Sequence, residues 1–189
     1  MKHVSFFALT AALFSLVAAH ADAQKTEYVS AVKPAPTGRA PGMRVKLVSD
    51  SNSWRTYVII FQTGDEAVSG LNEFAQQYKI ANAHYQGIGD ASSARVGWYD
   101  QARNMFKVIP IGASEISSLL GDVAVFNGRP VAHTHITLST EDGIAHGGHL
   151  LELIVGPTLE VFVTVDATPL YKRLNLEFDA GVIDLSLEK

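Results

Sequence analysis

The chain has 189 residues, 47% hydrophobic and 18% charged, a balance that predicts a globular protein with one main folded domain. Its net charge of −4 argues against general binding to a phosphate backbone. It has no cysteine, so disulfides and thiolate metal ligands are excluded, and any metal must be held by nitrogen and oxygen.

The chain opens on Met1-Lys2-His3, an apolar run from Phe6 to Ala19, and the small residues Ala21 and Ala23. That is the order of a secretory signal peptide over residues 1–23, cut after Ala23. The run is short for a membrane span, so the expected location is periplasmic or secreted, with no span after removal. An uncleaved anchor is the alternative. Removal takes Lys2 and Asp22 together and leaves the net charge unchanged. Residues 24–42 carry Pro34, Pro36 and Pro41 and read as an extended leader or linker. The folded domain is expected to span 43–189.

Arg55–Gln62, "RTYVIIFQ", reads as a buried strand. Gly64-Asp65 reads as a turn and helix cap. The apolar positions Ala67, Val68, Leu71, Phe74, Ala75 and Tyr78 then predict the main helix. "ANAHYQGIGDAS" reads as a strand broken at Gly87 and Gly89. "SARVGWYD" and "MFKVIPIG" read as an antiparallel pair, and "SEISSLLGDVAVFNG" as strand-like at its end. "GRPVAHTHITLST" is expected to follow a turn at Asn127-Gly128. "GGHLLELIVG" and "LEVFVTVDA" read as two strands turning at Gly156-Pro157. One helix among many strands predicts an α+β fold with a largely antiparallel (mixed) sheet.

Seven histidines less His3 and His20 leaves five, and four of those five lie between Ala132 and Leu150. In a strand, residues two apart share a face, so His133, His135 and Thr137 project together, away from Ala132, Ile136 and Leu138. Glu141-Asp142-Gly143 reads as a turn that brings "GGHLLELIV" back beside this strand. His149 would open the returning strand, with His146 in the loop as an alternative ligand or proton shuttle. Three imidazoles with a fourth position open describe a catalytic type of metal site. Zinc suits such donors, as do other divalent transition metals. Exposed polar histidines on a sheet are the alternative.

The segments "VIIFQTGDEAVSGLNEFAQQYKI", "QGIGDASSARVGWYD", "GASEISSLLGDVAVFNGRPVAHTHITLS" and "GGHLLELIVGPTLEVFV" together resemble the plant- and prokaryote-conserved (PPC) domain. The resemblance spans roughly Tyr57 to Val165 and rests on Gly-x-Gly after the helix, the Glu115–Gly121 motif, His-x-His and Gly-Gly-His-Leu. It implies an α+β domain, a homotrimer, and a metal site on His133, His135 and His149. It also implies a fold similar to acetolactate decarboxylase, a zinc enzyme. Plant members carry an upstream Arg-Gly-Arg-Pro hook for the DNA minor groove. This chain has none, and Asn127–Pro130, "NGRP", is only the turn before the histidine strand. Leu153 stands where many relatives have glycine.

Other residues carry conditional roles. Glu152, a charge within an apolar run, is the candidate general acid/base, with an exposed or interface carboxylate as its alternative. Glu115 reads as structural or as orienting a histidine. Arg95 and Arg129 would suit a carboxylate substrate, with plain surface positions as the alternative, and Asp142 would supply an oxygen ligand or serve only its turn. His84 reads as packed or exposed, and Gly87 with Gly89 as a β-bulge.

The leading expectation is therefore an exported, trimeric, metal-binding protein, with a possible metal-dependent reaction on a small carboxylate or carbonyl substrate. Enzymatic turnover is left open. The alternatives are a DNA-binding protein, the label that relatives carry, and a non-catalytic ligand-binding or oligomerisation module. The signal-like start, the net charge and the missing hook lead to the expectation that nucleic acid is not a partner.

Overall fold

The computed structural model describes residues 26–32 and 38–188. The expected signal segment, 1–23, lies outside them. Among the described residues ten strands and one helix follow in chain order: β1 (Tyr28–Ser30), β2 (Arg44–Asp50), β3 (Trp54–Gln62), α1 (Ala67–Gln77), β4 (Asn82–Asp100), β5 (Met105–Ile111), β6 (Ser114–Phe126), β7 (Arg129–Ser139), β8 (Ala145–Asp166), β9 (Lys172–Asn175) and β10 (Ala180–Ile183). The fold is α+β, as the alternating apolar segments predict. None of the described helices is long and apolar enough to cross a membrane.

Eight strands form one antiparallel sheet in the order β1-β5-β4-β6-β7-β8-β3-β2. β4 also pairs with β8, which closes β4, β6, β7 and β8 into a ring. Ile59, Phe61, Leu119, Leu138, Leu153, Leu159 and Val161 fill the core at 0% exposure. Each such side chain contributes about 1.5–3 kcal/mol of burial. α1 adds Leu71 and Phe74 to this core, and Phe74 meets Tyr57 edge-on at 5.3 Å.

The helix cap falls one residue later than expected. Glu66 is the N-cap, its carboxylate accepting from Val68 N at 3.0 Å and Ser69 N at 2.7 Å. It also accepts from Leu153 N at 3.0 Å, so one buried carboxylate ties the helix to β8 beside the Leu153 departure. Asp65 instead secures the turn, accepting from Gln62 N and Gly42 N. Asn72, on α1, accepts from Ala132 N at 3.0 Å, which fixes the helix to the start of the histidine strand.

Two long strands replace four expected shorter ones. β4 runs unbroken over 19 residues, taking Gly87 and Gly89 as a register shift, the bulge that their spacing suggests. β8 runs over 22 residues, so Gly156-Pro157 does not turn the chain. Pro157 falls between the Val155 and Leu159 pairings with β4, where its missing N–H interrupts no ladder bond there. The turn at Asn127-Gly128 is as expected, with φ of 50° and 76°. Both residues are left-handed, the conformation of a tight hairpin between β6 and β7.

Part of the 24–42 stretch packs on the domain. Tyr28–Ser30 pairs with Met105–Lys107 as an edge strand, and Ala40 is 7% exposed in the core cluster. Prolines do not exclude an edge strand, because its outer side needs no ladder donors. β9 and β10 form a separate two-stranded hairpin after the main sheet.

Candidate metal centre

β7 and β8 bring the histidines together. His135 lies directly opposite His149 in the antiparallel register, and His133 sits two residues before His135 on the same face. Thr134, Ile136 and Leu138 are buried on the other face, as the alternation predicts. The ring centroids of His133, His135 and His149 lie 5.1–5.6 Å apart. One nitrogen from each falls within 4.8 Å of the others, a cluster compatible with one metal ion.

The register excludes His146. It opposes Leu138, within β8 and on the face away from the cluster. It is a strand residue and not the loop residue that the sequence suggests. Asp142 is also elsewhere, capping its own turn by accepting from Thr140 Oγ1 at 2.6 Å and Ile144 N at 3.1 Å.

Three neighbours shape the cluster, and sequence reasoning missed all three. Asp122 faces His133 across β6 and β7 and accepts from His133 Nδ1 at 3.1 Å. That bond leaves Nε2 of His133 as the lone-pair nitrogen. Lys172 Nζ meets the same carboxylate at 2.8 Å, with its side chain only 5% exposed. Burial works to raise the Asp122 carboxyl, but the hydrogen bond from His133 and the ion pair with Lys172 outweigh it and hold it below the usual range. Phe106 stacks flat on His149, with centroids 4.4 Å apart and planes 2° from parallel. Gly97 makes room for it, since a Cβ there would come within 2.8 Å of the Phe106 ring.

A fourth support lies beneath the strand. Tyr85, buried in the core, donates to the carbonyl oxygen of His133 at 3.1 Å and lies 2.7 Å from Thr134 Oγ1. Its ring crosses Gly121, where a Cβ would meet Tyr85 Cζ at 2.3 Å and His133 O at 2.4 Å. The last residue of the Glu115–Gly121 motif thus gives the phenol its path to the histidine strand. Burial pushes the Tyr85 hydroxyl above its ordinary pKa.

The electrostatics favour neutral rings. Burial, then the nearby His133 and His135, push the His149 imidazole down to about 3. Burial and His133 lower His135, against a smaller opposing effect from Asp122. Neutral imidazoles present lone pairs to a cation. The Nδ1 of His149 is buried with no hydrogen-bond partner among the described residues. The donor set fits a divalent transition metal: three nitrogens, an oriented first ring and unsatisfied nitrogen capacity.

Glu152 shares this face through a bulge. Arg95 opposes Glu152 while Val96 opposes Leu150, so Leu151 is an extra residue that resets the alternation. Glu152 then meets Arg95 at 3.4 Å, and Arg95 also pairs with Glu27. The two carboxylates raise the Arg95 pKa. Glu115 and Arg129 are exposed, and His84 stands 3.9 Å from Asp166.

A family model for the Plants and Prokaryotes Conserved (PCC) domain matches residues 48–166. The chain belongs to this family. Three solved structures agree with the PCC fold. One from Ralstonia eutropha, described as a "putative DNA-binding protein", is 32% identical with a TM-score of 0.64, covering 68% of this chain and 90% of its own. One from Pyrococcus horikoshii, a plant- and prokaryote-conserved (PPC) protein, is 28% identical with a TM-score of 0.65, covering 74% of this chain and 100% of its own. One from Bacteroides thetaiotaomicron, described as a "putative dna binding protein", is 23% identical with a TM-score of 0.68, covering 76% of this chain and 99% of its own. No curated protein matches the chain.

These comparisons correct the expectation about partners. The Ralstonia structure, at 32% identity, carries a "putative DNA-binding" description, which overturns the exclusion of nucleic acid. That exclusion combined the signal-like start, the missing hook and the whole-chain charge, and a net charge does not describe a local surface. The homotrimer implied by the resemblance has no support in the single chain.

Proposed function

We propose that this PCC domain binds one divalent transition metal through His133, His135 and His149, with zinc as the best-suited ion. The carrying observation is the convergence of three imidazoles from two paired strands, with one nitrogen of each within 4.8 Å of the others. Asp122 would fix His133 with Nε2 toward the ion, and Phe106 would shield His149 from water. Bound there, the metal supplies Lewis acidity at its remaining coordination position, which suits an oxygen ligand such as a carboxylate or carbonyl. Glu152, the expected proton carrier, is engaged by Arg95.

Metal analysis on untagged protein after reconstitution tests the proposal. One equivalent of bound metal is expected in the native chain, with loss of binding in His133→Ala and His149→Ala. Unchanged binding in those variants removes the assignment.

A second reading rests on the Ralstonia relative, at 32% identity. It makes nucleic acid a partner of the folded domain, in addition to metal. A labelled duplex titrated with metal-loaded and metal-free protein at physiological salt tests it, and no shift in either form rejects it. The sequence of residues 1–23 supports export. Cell fractionation separates an exported metal protein from a cytoplasmic DNA-associated one.

A further inference from the structure

The C-terminal hairpin lies beyond the residues that the family model matches, 48–166. Its seat is well defined. Asn82 Nδ2 donates to Thr168 O at 2.7 Å, Leu170 N to Ala81 O at 3.0 Å, and Val125 N to Leu170 O at 2.8 Å. Tyr171 bridges to Val125 in parallel, so the hairpin begins beside the end of β6. From there it reaches the histidine cluster by two routes. At β9, the buried Lys172 ammonium holds Asp122, which holds His133 Nδ1. At the turn before β10, Phe178 O accepts from the Tyr99 hydroxyl. The Tyr99 ring meets Phe106 edge-on at 5.5 Å, and Phe106 stacks on His149.

We propose that this hairpin is a clasp on the metal site, with Lys172 and Asp122 as its positioning residues. The proposal rests on the metal-binding reading and adds to it a segment outside the family domain. The reasoning is geometric. A histidine ligand binds well only if its ring is held in one tautomer and orientation, and a carboxylate on the other nitrogen does this. A lone carboxylate can rotate away or face water. A buried ammonium at 2.8 Å holds it by ion pairing. Lys172 is therefore the third member of a chain running Lys172, Asp122, His133, and it enters from a hairpin that also touches the His149 side through Phe178. Because binding free energies are reciprocal, a hairpin that organises the site must itself be stabilised when the site is filled.

The test uses the full chain, zinc or cobalt ions and two readouts. Zinc affinity is measured by competition with a chromophoric chelator for the native protein, Lys172→Met, Lys172→Arg and Asp122→Asn. Amide hydrogen exchange over residues 172–183 is followed with and without metal. Asp122→Asn should weaken binding about 10–100-fold. Lys172→Met should weaken it about 10-fold, with Lys172→Arg recovering most of the loss. Metal should slow exchange in the hairpin of the native chain and have less effect in Lys172→Met. Melting curves confirm that the variants are folded. A native protein that binds no zinc ends the metal reading and this one with it. Native binding with equal affinity in Lys172→Met, and a hairpin indifferent to metal, overturns the clasp alone.

Discussion

Replacing Gly121 by alanine probes the support beneath the histidine strand. The new Cβ would lie 2.3 Å from Tyr85 Cζ and hydroxyl oxygen, and 2.4 Å from His133 O. Ordinary carbon contacts begin near ~3.5 Å, so the ring must retreat by about an ångström or the strand must shift. Retreat breaks the bond to His133 O and the contact with Thr134 Oγ1, and both hydroxyls are buried. Overpacking costs about 1–3 kcal/mol. A buried hydroxyl left without a partner costs about 1–3 kcal/mol more. Their sum, about 2–6 kcal/mol, corresponds to a fall in Tm of about 4–24 °C for a chain of this size. Gly112→Ala is the control, because a Cβ there meets nothing within 4 Å. Thermal melts read the difference, and zinc affinity should fall with stability because His133 rides on the displaced strand. A Gly121→Ala melt within about 1 °C of Gly112→Ala would refute the reasoning.

Protonation gives a second prediction. The His149 pKa falls from an ordinary 6.5 to about 3 on folding, so the unfolded chain takes up a proton across that window and the native chain does not. Full stability is present above pH 6.5, and metal-free protein should lose roughly 1.4 kcal/mol per pH unit below it from this ring. Denaturant titrations in chelator should show that slope, and His149→Gln should flatten it. An equal slope in the variant would count against the assignment. Phe106→Ala should raise the His149 pKa, since burial is its leading cause, and NMR titration of the ring reads the shift directly. Glu66→Ala removes the carboxylate that serves Val68 N, Ser69 N and Leu153 N and should destabilise by about 2–4 kcal/mol, visible in denaturant unfolding.

The histidine site was legible because it is a matter of strand parity. His133 and His135 share a face by simple alternation, and the Glu141–Gly143 turn sets His149 opposite His135. The main helix was legible for a similar reason, its apolar residues repeating at helical spacing and burying Leu71 and Phe74. Parity failed where a bulge intervened. Glu152 stands three residues after His149, yet the extra Leu151 returns it to the same face. Edge elements were hidden because they bury little and are short: β2 is exposed at six of its seven positions, and β9 and β10 have four residues each with two exposed. Asp122 and Lys172 were hidden for another reason. Their roles depend on the cross-strand partner of His133 and on the path of a hairpin distant in sequence. No local pattern encodes either.

The most direct test is a crystal structure of the zinc-loaded protein with anomalous data at the metal edge. The account predicts one metal peak coordinated by His133 Nε2 and by one ring nitrogen each from His135 and His149, at about 2.0–2.1 Å. Asp122 should remain on His133 Nδ1, and an exogenous oxygen should complete the shell. A peak at other residues, such as His146 or His84, with the three rings unligated, would contradict it.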